Sequence, residues 1–225
     1  MKKLLCFVHV GKCGGSTIWN LLNTSSPIAS RYKSIEEIHV NGAKIRSNCD
    51  YLICLRNPVD RAISAFEWRK KLVLIDAHVD QVDRFVGEKS VLASYKTLEN
   101  LACSLYEKDN RLCQKAARDF ALIHHLRESI AFYIRPLLPV LSSGNVLGVI
   151  CQESLAEDCQ RILSVDATTV NERKNNAKQQ SFSDLSDQAV RNLKRFLADD
   201  YRCIVSLWSL GLLDDKQFAG LMFKE

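Results

Sequence analysis

The stretch Leu4-Leu5-Cys6-Phe7-Val8-His9-Val10 is apolar almost throughout and runs straight into Gly11-Lys12-Cys13-Gly14-Gly15-Ser16-Thr17. An apolar run without polar alternation fits a strand covered on both faces, as strands of a parallel sheet are. The glycines supply a tight turn. Ser16 or Thr17 then caps a helix through Ile18, Leu21 and Leu22, which Ser25-Ser26-Pro27 ends. A buried strand, a glycine turn and a helix start together point to an α/β fold.

The same pattern returns twice. Tyr51 to Leu55 reads as a second buried strand. Asn57-Pro58 after it is a helix start, and Val59, Ile63 and Phe66 share one face of that helix. Val146 to Cys151 is a third strand, with Ser154 opening a helix that carries Leu155, Cys159, Ile162 and Leu163. Between them, residues 80 to 141 read as mostly helical, with Leu98, Leu101, Ala102 and Leu105 at helical spacing. Residues 168 to 183 are polar and basic without periodicity, a loop before a long helix from Ser186 to Leu207. The expected architecture is three-layer α/β/α, with a central, mainly parallel sheet and a helical insertion. At 225 residues and 47% hydrophobic content, one domain over 1–225 suffices to bury a core.

The balance of 31 basic against 26 acidic residues, +5 overall, is too mild and dispersed for nucleic-acid binding, though it suits a protein that handles anions. Nine cysteines show neither CxxC pairs nor Cys/His ligand spacing. Cys6, Cys54 and Cys151 lie within apolar runs, so reduced core thiols and a cytoplasmic location are expected. The apolar start breaks at His9 and Lys12 with no small-residue cleavage site, which reads as a strand and not a signal peptide. No stretch approaches the roughly 18 to 20 apolar residues of a membrane span, so no membrane partner is expected.

A strand-to-helix turn of this kind aims backbone N–H groups and a helix N-terminus at one point, a natural phosphate site. The Walker pattern GxxxxGK[ST] sets its lysine directly before the hydroxyl residue. Here Lys12 comes early, and Gly14 and Gly15 stand between it and Ser16. The loop resembles instead the 5'-phosphosulfate loop, P-K-[ST]-G-[GT]-[ST]-[ST], of sulfotransferases that use 3'-phosphoadenosine-5'-phosphosulfate (PAPS). Gly11 replaces the proline and Cys13 the hydroxyl residue. In that family a second strand ends in R-[DN]-P with a serine eight residues after the arginine. Arg56-Asn57-Pro58 and Ser64 match it, and a guanidinium at a strand end with a hydroxyl nearby suits a 3'-phosphate. Asp60 and Arg61 match positions expected to support the loop.

Fainter likenesses follow: Val149 to Leu155 is similar to a later strand ending in glutamate, here Glu153. Arg173-Lys174-Asn175 is similar to a K-N-x-S element that reaches the donor, with Ala177 in place of its hydroxyl. A solvated basic loop is the other reading of these three residues. Leu185-Ser186 and Asp200-Tyr201 resemble the family's C-terminal helix.

The resemblance implies a P-loop-like fold and an in-line transfer of the sulfuryl group from PAPS to a hydroxyl or amine, leaving adenosine 3',5'-bisphosphate (PAP), without a metal. The acceptor is expected to be a carbohydrate or another hydroxylated metabolite. Gly11 to Thr17, Arg56, Ser64 and residues 173–175 are the expected donor contacts, and Lys12 is expected to stabilise the leaving phosphate. For the general base, His39 is the first candidate, ahead of Glu36, Glu37, His124 and His125. His9 reads as structural and His78 as exposed. Cys13, a thiol near a helix N-terminus, stands either for the family's hydroxyl or for a reactive group. Two other readings stay open: a P-loop kinase or NTPase, against which the strand end Leu55-Arg56 speaks by lacking an acidic residue, and a catalytically silent PAP-binding module.

Overall fold

A computed structural model describes residues 2–24, 27–166 and 182–223. Four strands, β1 (Leu4–His9), β2 (Ser34–Ile38), β3 (Cys49–Leu55) and β4 (Val146–Cys151), form one sheet in the order β2-β1-β3-β4, with every neighbouring pair parallel. Helices α1 (Gly15–Thr24) and α2 (Pro58–Lys70) follow β1 and β3. The segment between β3 and β4 continues through α3 (Val79–Arg84), α4 (Glu88–Tyr95), α5 (Leu98–Cys103), α6 (Gln114–Leu122), α7 (His124–Arg127) and α8 (Ile130–Ile134). After β4 come α9 (Leu155–Asp158), α10 (Asp187–Phe196), α11 (Ala198–Ser209) and α12 (Asp215–Met222). The fold is α/β with an all-parallel central sheet flanked by helices, as the alternation of apolar runs and helix starts predicts.

The chain divides into two compact units. The first, residues 1–57, 130–175 and 200–225, holds the sheet. Leu5, Phe7 and Val8 of β1 and Leu52, Ile53 and Leu55 of β3 are wholly buried there, and they pack with Ile18 of α1, Ile134 of α8 and Ile204 of α11. Each such side chain contributes about 1.5–3 kcal/mol, which is why these strands read as continuous apolar runs. Asp214 caps α12 in a reciprocal capping box with Gln217, whose amide also reaches the Val149 carbonyl at 2.9 Å. The second unit, 58–129 and 176–199, is helical, with Phe66, Leu92, Leu98, Leu101 and Leu193 in its interior. It contains a buried ion pair in which Arg69 clamps Glu88 through Nε at 2.9 Å and Nη2 at 2.6 Å.

Two elements differ from expectation. The Ser34–Ile38 segment is a strand, although Glu36 and Glu37 break its apolar pattern; it lies at the sheet edge, where charges are tolerated and discourage further pairing. The helix expected over 186–207 is interrupted at Leu197. Its halves serve different cores, since Ala189 and Leu193 are buried in the second unit and Cys203, Ile204 and Leu207 in the first.

Candidate functional site

The sheet winds from β1 outward to β2, then returns past β1 to β3 and on to β4. The C-terminal ends of β1 and β3 therefore border the crevice where the winding reverses, the place where open parallel sheets receive ligands. The glycine loop leaves β1 at this crevice. Lys12 has φ of +70° and Gly14 of +78°, left-handed conformations that turn the chain between β1 and α1, while the Cys13 N–H between them donates to the Val10 carbonyl at 3.3 Å. A lysine in that region is strained backbone of the kind concentrated at ligand-holding loops. Gly15 opens α1, so the first-turn N–H groups of Gly15, Ser16 and Thr17 are those a helix leaves without intrahelical acceptors.

The two glycines before Ser16 are fixed by close neighbours. A Cβ on Gly14 would lie 2.3 Å from Gln152 Oε1, at the end of β4, and one on Gly15 would lie 1.9 Å from the His9 ring. Cys13 is wholly buried and its thiol faces the Gly11 carbonyl at 3.8 Å, so the side chain points into the interior and away from the loop surface.

Arg56 leaves the end of β3, and its Nη1 donates to the Lys12 carbonyl at 3.4 Å. The two motifs, 44 residues apart in sequence, thus meet at the same crevice. Glu153, at the end of β4, accepts the Asn57 backbone N–H at 2.7 Å, while the Asn57 side chain donates to the Leu221 carbonyl at 2.9 Å.

A second cluster lies beside the loop. In the parallel register Phe7 stands opposite Glu37 and Val8 opposite Ile38, which brings His9 next to His39. Their rings stack at 4.0 Å, His39 Nδ1 donates to the His9 carbonyl at 3.0 Å, and His9 Nδ1 meets Glu37 Oε1 at 2.5 Å. A carbonyl only accepts, so Nδ1 of His39 carries a proton and Nε2 is its basic nitrogen. The same logic applied to Glu37 leaves Nε2 as the basic nitrogen of His9, and that atom abuts Gly15. Burial, and then His39, hold the His9 pKa below its ordinary value, against the pull of Glu37. The three residues line a cavity of about 570 Å³ with Ser16, Trp19, Asn20 and Asn23.

His39 and Glu37, both expected as candidates, therefore belong to one arrangement. His9, expected to be structural, joins them to the loop. Sequence reasoning missed Trp19, Asn20 and Asn23, although their spacing from Ser16, i, i+3, i+4 and i+7, marks one helical face. Glu36 faces elsewhere and pairs with Arg46 at 2.8 Å.

The remaining candidates lie in the second unit or outside the described residues. Ser64 is half-buried on α2. Arg61, expected to support the loop, instead donates through Nη2 to the carbonyls of His125 and Glu128. His124 and His125, the first two residues of the single-turn α7, both line one cavity. His78 is exposed, as expected, at the edge of that cavity. Arg173, Lys174 and Asn175 lie outside the described residues. Among the described residues no helix is long and apolar enough to cross a membrane. Comparison of the chain with family models, curated proteins and solved structures found no match.

Proposed function

We propose that this chain is a sulfotransferase that moves the sulfuryl group of PAPS to a hydroxyl or amine of an acceptor, a carbohydrate or small hydroxylated metabolite. The observation that carries the reading is the meeting of Lys12 and Arg56 at the winding reversal, with a histidine-lined cavity beside the loop. In this reading the 5'-phosphosulfate lies on the Lys12 side chain and the first-turn N–H groups of Gly15, Ser16 and Thr17, and Arg56 takes the 3'-phosphate.

The acceptor oxygen attacks sulfur while the bond from sulfur to the bridging phosphate oxygen breaks. Negative charge grows on that oxygen, where Lys12 and the start of α1 stabilise the transition state more than the ground state. The acceptor proton passes to His39 Nε2, the nitrogen left basic by the bond to the His9 carbonyl. Glu37 acts one step removed, by orienting His9.

Incubation with PAPS and a panel of carbohydrate and small hydroxylated acceptors, followed by chromatographic detection of PAP, tests the reading. Acceptor-dependent PAP release supports it. PAP binding without release across the panel makes the protein a silent binding module, and magnesium-dependent hydrolysis of ATP makes it an NTPase.

A further inference from the structure

We infer that His124, His125 and Glu128, in the helical unit, form a binding site for a divalent cation of the zinc class. Each residue offers a ligand atom, and the three atoms lie within 4.8 Å of one another. His124 Nε2 is 3.1 Å from Glu128 Oε1, and His125 Nδ1 is 3.9 Å from Glu128 Oε2. Zinc bonds of about 2.0–2.2 Å in a tetrahedron set ligand atoms about 3.4 Å apart, so the first pair is already at ligand spacing and His125 has to move closer on binding.

The burial makes the arrangement informative. The side chains of His124 and Glu128 are 9% and 3% exposed, yet both ring nitrogens of His124 and Glu128 Oε2 make no hydrogen bond. Buried polar atoms are nearly always satisfied, and an ion between them is one way to satisfy the His124 imidazole and the Glu128 carboxylate.

The surroundings hold the three residues in place. The His124 N–H donates to Glu88 Oε1 at 2.9 Å, and Glu88 is itself clamped by Arg69. Arg61 fixes the backbone at the other two residues through their carbonyls, and Phe85 stacks on the His124 ring at 4.0 Å. The cavity bordered by Trp68, Arg69, His78, Asp80 and Arg84 reaches His124 and His125, giving an entry path from solvent. One carboxylate with two imidazoles suits zinc, which takes neutral nitrogen ligands, and disfavours magnesium and calcium, which want several oxygens; Arg127, 3.6 Å from Glu128 Oε1, competes with the ion for that oxygen. The site does not depend on the sulfotransferase reading.

The full-length protein, stripped with a chelator and reconstituted with one equivalent of Zn²⁺, is examined by X-ray absorption at the zinc edge. The expected spectrum has a nitrogen and oxygen shell near about 2.0–2.1 Å, scattering from two imidazoles and no sulfur shell at about 2.3 Å. Competition against a chromogenic chelator should give one site per chain, weakened at least tenfold in His124→Gln and in Glu128→Gln and unaffected by excess Mg²⁺ or Ca²⁺. A sulfur shell, no retained zinc in the folded wild type, or wild-type affinity in both folded variants overturns the inference; if either variant misfolds, His125→Asn takes its place, and His39→Asn, which should keep the zinc, excludes the cluster beside the loop.

Discussion

His39 donates a hydrogen bond from Nδ1 to the carbonyl of His9 and stacks on the same residue's imidazole at 4.0 Å. One residue thus sets both the tautomer and the tilt of the other, and this fixes which nitrogen of His39 can take a proton. His39→Asn should lower sulfuryl transfer by about 10²–10⁴-fold, the usual contribution of a general base, and leave PAP affinity nearly unchanged. Steady-state kinetics beside PAP titration separates the two effects.

His9 gives a pH prediction. Its folded pKa lies below the ordinary value of about 6.5, chiefly through burial. Below about pH 6.5 the unfolded chain therefore binds a proton that the folded chain declines, and stability falls as pH drops through that window; above it the contribution is complete. Thermal melts of the wild type should weaken from pH 7 to pH 5 more steeply than those of His9→Gln. Equal slopes would show that His9 is not the group responsible.

Lys12 is expected to act on the leaving group more than on donor affinity. Lys12→Ala should reduce turnover by about 10²–10³-fold, the size of effect found when one stabilising donor is removed, with a smaller change in PAP binding. Nearly intact turnover in a folded variant would remove Lys12 from the chemistry.

Gly15 and Gly211 make a matched pair. A Cβ on Gly15 meets the His9 ring at 1.9 Å, whereas one on Gly211 has open space and only a φ of +68° to strain it. Gly15→Ala should cost about 1–3 kcal/mol through overpacking and should also disturb the His9–His39 stack, reducing turnover. Gly211→Ala should cost about 1–2 kcal/mol, from the left-handed backbone alone, and leave turnover alone. Denaturant titrations with activity assays on both variants check this.

The buried pair Arg69–Glu88 should show the asymmetry of desolvated charges. Arg69→Ala alone leaves Glu88 buried without its partner and should cost about 3–5 kcal/mol. Arg69→Met with Glu88→Leu should recover part of that loss, the remainder reflecting the His124 N–H left without its acceptor. A double-mutant cycle by urea denaturation measures both.

What the sequence discloses follows from how each residue is covered. β1 and β3 are legible because burial on both faces removes polar alternation, and β4 because its apolar run is kept although it lies at the other edge. The start at Pro58 is legible because Asn57-Pro58 announces it, whereas α1 begins at Gly15, ahead of the expected cap at Ser16 or Thr17. β2 is not legible, since an edge strand needs no apolar run and Glu36 and Glu37 disguise it. Lys12 and Arg56 stand out as motifs, but their meeting at 3.4 Å depends on strand order, which no local pattern encodes. The pairing of His9 with Glu37 spans 28 residues and depends on the β1–β2 register, so His9 looks like an ordinary strand histidine until the sheet is seen. The break at Leu197 is hidden because both halves are good helices that bury into different cores.

Calorimetric titration with PAP, beside ATP with magnesium, on the wild type and on Arg56→Ala tests the donor site most directly. Tight PAP binding that Arg56→Ala loses by about 1.5–3 kcal/mol, the worth of a charge-assisted hydrogen bond, is the expected result. A preference for ATP with magnesium, or the absence of PAP binding by the folded wild type, would contradict the sulfotransferase reading.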